Sequence, residues 1–362
     1  VIDALPRRHF VAASAALALP GCATTAPRVA TAQPACLPRV KISPDRVIRT
    51  LAGLRPYRAQ GFVVRADALG DKRLVHNYGH GGAGITLSWG TSRLAVDLGL
   101  PGHRGAVAVI GSGVMGLSTA RLVQEAGFPV TLYTAALPPD TTSNIAGGEW
   151  LPYGHFDDAS VTPEWREQYR AARDYSWRRF QIMVGEDYGV RWLPVYAEGG
   201  PRRGSPYRPG DRALAAGEHP FAVAGVNRFE TMFVETGRYL RQMLRDVQTA
   251  GGAIAIRTFA DAADIATLPE KLVFNCTGLG SRALLGDTGL RPARGQLAVL
   301  LPQPEITYAF TGAAGYMFPR PDGIILGGTF ELDQWSTTPV EADIARILES
   351  HRGLFGGFRC PA

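Results

Sequence analysis

Glycines 111, 113 and 116 in the run VAVIGSGVMG stand at the G-x-G-x-x-G spacing, a pattern that turns a chain beneath a pyrophosphate. Gly111 permits the tight turn, and Gly113 has no side chain to hold a phosphate off the backbone. Gly116 lets the following helix pack close to the strand. The flanks agree. Residues 106–110 are small or β-branched and read as a strand buried on both faces. Residues 114–126 carry apolar side chains at helical spacing, with Gly127 placed as a stop. Ser112, Val114 and Met115 fill the same turn, where the helix N-terminus directs unpaired N–H groups at an anion.

A second glycine cluster lies upstream, in HNYGHGGAGIT. Gly79, Gly81, Gly82 and Gly84 fall within six positions, and Thr86 opens a stretch, 87–98, read as an amphipathic helix. This predicts another helix N-terminus able to meet an anionic group. His76 and His80 are four apart, which invites a metal. The glycines between them predict a loop, however, and no nearby Cys or carboxylate completes a ligand set, so no metal is expected. Thr141, Thr142 and Ser143, followed by Gly147, Gly148 and Glu149, offer hydroxyls and small residues where a cofactor could lie close.

The elements that must carry these residues follow from periodicity. Residues 43–45 read as a short helical turn, 61–65 as a strand, and 130–134 as the strand after the first helix. Residues 163–183 form an amphipathic helix with Trp165, Tyr169, Ala172, Ser176 and Phe180 on its core side. Strands are predicted over 191–196, 229–235, 253–259 (ending on Phe259) and 271–278, with a helix over 237–250 and a polar loop over 199–219. This alternation extends a parallel sheet beside the first βαβ unit. Strands over 316–319 and 324–328, then a helix over 340–350, read as an antiparallel-sheet domain. The expected class is α/β, a Rossmann-like domain interleaved with a mixed or antiparallel-sheet domain. Residues 74–158 and 225–290 are assigned to the first domain, and 43–73, 159–224 and 291–362 to the second.

At 362 residues, 46% hydrophobic and 19% charged, the chain is a folded protein of about two domains. Its net charge of +6 is spread out, and the densest part, Arg202, Arg203, Arg208 and Arg212, sits among Gly, Pro and Ser. No basic stripe with interleaved aromatics is present, which argues against nucleic acid. Arg7 and Arg8 precede an apolar run, 11–20, that is too short to span a bilayer and is suited to an export signal of the twin-arginine type. Leu19-Pro20-Gly21-Cys22 is similar to a lipoprotein cleavage box, with Cys22 as the lipid-bearing residue, and 23–37 is a flexible tether. Residues 1–42 thus predict a bacterial protein that is periplasmic or anchored to a membrane.

Taken together, VIGSGVMGLSTA, TTSNIAGGEWLPY, NCTG, RGQ, the segment from YMFP through LGGTFELDQW, GLRPYR and HNYGHGGAGITLSWG resemble the D-amino-acid oxidase and D-aspartate oxidase family of FAD enzymes. The order of the motifs differs from the family's, in which GLRP and the HNYGHGG loop close the chain. The resemblance therefore implies a circular permutation, with 101–105 joining the old ends and new ends opening near Cys36 and Cys360. Permutation at exposed loops is tolerated. It further implies a disulfide between Cys36 and Cys360 that restores the lost connection.

The implied chemistry is hydride transfer from the Cα of a D-amino acid to FAD, giving a 2-oxo acid and ammonia after hydrolysis, with molecular oxygen reduced to hydrogen peroxide. By resemblance, Arg55 binds the substrate carboxylate through its planar fork, Tyr316 meets the same carboxylate, and the Gly82 carbonyl accepts from the amine. FAD is then expected along Gly111 to Gly116, Thr141 to Ser143, Gly147 to Glu149, the loop of Gly81, Gly82, Ala83, Gly84, Ile85 and Thr86, and Phe259. Four departures stand out. Ala135 replaces the acid that would hold the adenosine ribose, Gly312 replaces a lid tyrosine, and Ala83 an aromatic lining residue. Ala309 and Phe330 replace the distal arginines of aspartate oxidases, which favours neutral D-amino acids. Competing readings are another flavin amine or glycine oxidase, a quinone-linked dehydrogenase, or a binding lipoprotein without turnover; a dimer stays open.

Overall fold

Val107, Ala108, Val109 and Ile110 are all buried because their strand runs through the middle of a sheet covered on both faces, as a short wholly apolar run requires. The computed structural model describes residues 36–200 and 204–359. In chain order it contains β1 (Val47–Arg58), β2 (Val63–Leu69), β3 (Lys72–Tyr78), α1 (Gly84–Gly99), β4 (Val107–Ile110), α2 (Val114–Glu125), β5 (Val130–Thr134), α3 (Thr142–Ile145) and α4 (Pro163–Ile182). There follow β6 (Val190–Glu198), β7 (Arg212–Leu214), β8 (Val226–Val234), α5 (Thr236–Thr249), β9 (Ala253–Ile256), α6 (Ala262–Ala266), β10 (Leu272–Asn275) and α7 (Ser281–Leu285). Last come β11 (Leu290–Leu300), β12 (Ala309–Gly312), β13 (Gly315–Arg320), β14 (Gly323–Gly327), β15 (Glu331–Leu332) and α8 (Glu341–Gly356).

Two sheets result. One has the order β2-β3-β10-β4-β5-β9 and is parallel except for β2, which forms a hairpin with β3. The other runs β1-β11-β14-β13-β12-β6-β8-β7, with β15 paired to β11. It is antiparallel except where β12 meets β6. The α/β class with mixed sheets is therefore the observed one. The strand after the glycine cluster's helix enters from across the sheet: β3 and β4 flank β10, and α1 with residues 100–106 makes the crossover.

Several expected boundaries shift for reasons of pairing. Residues 43–73 were assigned to the second domain, but β2 pairs along its whole length with β3 and so joins the parallel sheet. Residues 225–290 were assigned to the first, but β8 pairs with β6 in the large sheet. The strand over 253–259 stops at Ile256, where its pairing with β5 ends. Within the polar loop over 199–219, Arg212–Leu214 adds a strand at the edge of β8. His76 lies in β3 and not in a loop.

Helix α1 departs most from expectation. It is not amphipathic over its first half, where every residue from Ile85 to Ser92 is buried. Its neighbours explain this. A Cβ at Gly90 would lie 1.8 Å from the Ala172 carbonyl oxygen, so α1 and α4 touch backbone to backbone, and Gly90 N donates to Ser176 Oγ at 2.8 Å. Trp89 Nε1 donates to the Tyr239 hydroxyl of α5 at 2.7 Å. Its hydroxyls turn inward onto the preceding carbonyls, Ser88 to Ile85 and Thr91 to Leu87, so burial leaves them satisfied. The face of α4 read from sequence does pack inward: Trp165, Ala172, Ser176 and Phe180 are buried.

The export signal, Cys22 and Cys360 fall outside the described residues, and with them the expected Cys36–Cys360 bridge. Cys276 is a buried free thiol.

Candidate active site

A cavity of about 980 Å³ runs between the two sheets, from the Gly111 turn to Arg55 and Tyr316. At one end β4 delivers the chain into the glycine turn. Gly111 has φ +108°, and a Cβ there would lie 2.5 Å from the Cys276 carbonyl oxygen. Only glycine suits both conditions. A Cβ at Gly116 would come within 1.7 Å of Gly111 O, so this glycine stands behind the turn and sets the helix against it; it does not line the cavity. Val114 N, the first N–H of α2, donates to Ser143 Oγ at 3.0 Å. Thr134 Oγ1 donates to Ser112 Oγ at 3.0 Å. Ala135, Ala136, Arg257, Thr258 and Phe259 complete this wall.

The middle of the cavity is floored by the second glycine loop and by residues 147–149. Gly81, Gly82, Gly84, Ile85 and Thr86 line it, as do Thr141, Thr142, Ser143, Gly147, Gly148 and Glu149. Ala83 does not. It is fully buried in the core between the sheet and α1, so its small size reports packing and not the lining of a site. Gly148, with φ +100°, lies against the Val234 carbonyl, which ties this wall to β8. His80 is pushed down to about 3 by burial, and its Nε2 lies 3.0 Å from Thr91 Oγ1. His76 Nε2 lies 3.1 Å from Asp67 Oδ2. The two histidines thus have separate partners, and among the described residues no group of three or more metal-type ligands is found. Burial pushes the Cys276 thiol up to about 12, so it is protonated and inert.

The far end is made by the large sheet. Arg55, on β1, crosses β11 at Gly295, where a Cβ would sit 2.2 Å from its Nη1. Glycine at 295 is what lets the guanidinium lie down on the sheet. Arg55 Nη1 donates to the Thr329 carbonyl at 3.1 Å, and Phe330 packs over it at 5.8 Å. Tyr316, on β13, lies over the backbone of Gly327 and Gly328, where a Cβ would come within 2.3 and 2.8 Å of its ring. It stacks on Phe318 at 4.5 Å. Burial raises the Tyr316 phenol above its ordinary value, while the neighbouring Arg55 pulls it down through charge and a hydrogen bond. The phenol is therefore a neutral donor beside a fixed cation. Gly82 N donates to Gly154 O at 3.1 Å, which locks the glycine loop to residues 151–155.

Gly312 lines the cavity beside Glu198, and β12 turns into β13 through two alanines, Ala313 and Ala314. Ala309 is buried inside the sheet and bears on no ligand; Phe330 is on the wall. Sequence reasoning missed Arg257, Thr277, Tyr153 and Gly295 on this wall. Thr277 had a signal, a glycine turn after a buried strand like that after β4. Gly295 had a weaker one, a glycine inside a strand pattern.

A sequence model of the FAD dependent oxidoreductase family matches residues 14–98 and 106–361. The chain belongs to this family. It is 34% identical over 271 residues to a D-amino-acid oxidase of Streptomyces coelicolor, covering 70% of this chain and 80% of the relative. It is 32% identical over 263 residues to a D-amino-acid oxidase of Rubrobacter xylanophilus, covering 68% and 77%. In fold it is similar to the glycine oxidase of Bacillus cereus, with a TM-score of 0.53 and 16% identity over 69% of this chain and 78% of that one.

FAD fits the cavity. The oxidoreductase has a glycine cradle that a single Cβ would fill at Gly111, two helix N-termini facing the cavity from α1 and α2, and room for a dinucleotide beyond them. Gly111 to Met115 and Ser143 would hold its phosphates. Gly81, Gly82, Gly84, Ile85 and Thr86 with Gly147 to Glu149 would hold its ring system.

Proposed function

We propose that the oxidoreductase deaminates neutral D-amino acids. The observation that carries this reading is the pairing of Arg55 with Tyr316 at the end of the cavity: a guanidinium fixed on Gly295 and a neutral phenol beside it. Arg55 takes the substrate carboxylate and sets its direction, Tyr316 donates to the same group, and the Gly82 carbonyl accepts from the amine. Bound FAD would supply the acceptor for the Cα hydride and the route of both electrons to oxygen, giving hydrogen peroxide. The amine nitrogen loses a proton, and water hydrolyses the resulting imine to a 2-oxo acid and ammonia.

The preference for neutral side chains is supported by the charged residues on the wall, which among the described residues are Arg55, Asp140, Glu149, Glu198 and Arg257. Arg55 is the cation of this wall at the Tyr316 end; Arg320, whose charge also reaches Tyr316, is paired with Asp322 and is not among the lining residues. Tyr153 and Phe330, 78% and 48% exposed, give the mouth an apolar rim. Anaerobic addition of D-alanine or D-methionine tests the reading: the flavin absorbance bleaches with the D and not the L isomer. Bleaching by glycine or an L-amino acid alone overturns it.

The permuted chain order belongs to the same proposal. It is supported by the family match, which falls in two blocks on either side of residues 99–105, a gap that contains the proposed join at 101–105. The companion Cys36–Cys360 bridge is checked by mass after alkylation: reductant should add two labels, and an unchanged label count would remove it. Export rests on residues 1–42 alone and is tested by fractionating cells that make the full chain.

A further inference from the structure

The residue that follows β5 is Ala135 and not a carboxylate; the charged groups on this part of the wall are Arg257 and Asp140, five residues further on. The parallel register ends with Thr134 opposite Ile256, and the residues that follow each strand, Ala135 and Arg257, both line the cavity. Arg257 N donates to the Thr134 carbonyl at 2.8 Å. The guanidinium carbon lies 4.6 Å over the ring of Phe259, which Tyr133 meets edge-on at 6.0 Å. Both side-chain hydrogen bonds that Arg257 makes among the described residues leave from Nη2, to Asp264 O at 3.2 Å and Thr267 Oγ1 at 2.7 Å. One corner of the fork is thus anchored and the ring lies under its plane, while Nε and Nη1 make no side-chain hydrogen bond among the described residues and the residue lines the cavity.

We propose that Arg257, held flat on Phe259, binds the adenosine ribose of FAD in place of a carboxylate at position 135. A carboxylate would accept hydrogen bonds from the ribose hydroxyls, whereas a guanidinium donates to their oxygens; a hydroxyl can serve either partner. Inverting the charge has a consequence. A carboxylate repels a phosphate on the ribose, and Arg257 attracts one. The apo-protein therefore binds 2′-phospho-ADP-ribose more tightly than ADP-ribose. The proposal rests on the FAD assignment and not on the choice of substrate.

Apo-protein titrated with FAD, with riboflavin and with the two ADP-ribose compounds tests this by fluorescence, without turnover. Arg257→Met should weaken FAD by about tenfold, the size expected for one charge-assisted hydrogen bond, abolish the preference for the 2′-phosphate and leave riboflavin unchanged. FAD affinity unaltered in Arg257→Met, or riboflavin falling in parallel with FAD, would overturn it. If Arg257→Met does not fold, Arg257→Lys keeps the charge without the fork; it should retain the 2′-phosphate preference and still lose FAD affinity, and unaltered FAD affinity there counts against the proposal. A merely structural role is read separately with Thr267→Val, which removes one anchor and should lower the melting temperature more than the affinity. Failure of the wild-type protein to take up FAD would strike the cofactor site itself and is distinct from all of these outcomes.

Discussion

At the nucleotide end, Gly111, Gly113 and Gly116 come from six consecutive residues, and what they present is backbone. At the proposed substrate end, Arg55, Gly295, Tyr316 and Gly327 come from β1, β11, β13 and β14, and what they present is side chains laid over glycines. The first end is a local conformation that any strand-turn-helix with the right glycines will adopt. The second exists only when four strands pair in register, since a slip of one residue would turn Arg55 to the other face. Damage should therefore differ in kind: at the nucleotide end it costs the cofactor, at the substrate end it costs recognition while the flavin stays.

The sharpest contrast comes from two substitutions. Gly116→Val places carbon against the Gly111 carbonyl, an overlap costing ~3 kcal/mol or more. The expected product takes up no FAD, and a yellow, fully loaded variant would break the argument. Arg55→Met should keep a normal flavin spectrum and raise KM by about two orders of magnitude through loss of charge-assisted hydrogen bonds. Loss of flavin in that variant would mean the two ends are not separable.

Smaller effects refine the picture. Gly295→Ala removes no polar group from the site but lifts the guanidinium off β11; KM should rise about tenfold with kcat less affected, the pattern of a misdirected binding group. Unchanged steady-state kinetics would remove Gly295 from the site. The frame shared by both ends has its own weakness, because burial holds His80 near 3 and His155 near 4 against the ordinary 6.5. Unfolded, these imidazoles bind protons that the folded state refuses. Stability is full above pH 6.5 and falls as the pH drops toward 4. Melting temperature followed over that range should fall by several degrees, on the order of 5 °C or more, with flavin released in the same transition; a flat profile would show that the histidines are protonated without unfolding.

How much was legible follows the same division. The Gly111 turn, its strand and α2 could be read because each contact is made within a few residues. The buried face of α4 could be read because helical period alone sets it. Arg55 is one arginine among many in the sequence, and its role came from resemblance to a family and not from spacing. Ala83 was misjudged because a glycine loop gives no sign of which residue turns into the core, and α1 because packing against α4 and α5 overrides an amphipathic pattern. Arg257 was missed since its meaning depends on β9 lying beside β5.

The sequence by itself determined the nucleotide turn, the alternation of strands and helices, and the glycines where the backbone must turn or be approached. These are short-range matters of sterics and periodicity. Tertiary structure alone decided that β2 joins the parallel sheet, that Gly295 seats Arg55, that Tyr316 stays a neutral phenol beside that cation, and that Arg257 and Ala135 line one cavity. Each depends on pairing between segments far apart in the chain, and a side chain's partner and its protonation follow from what that pairing buries beside it.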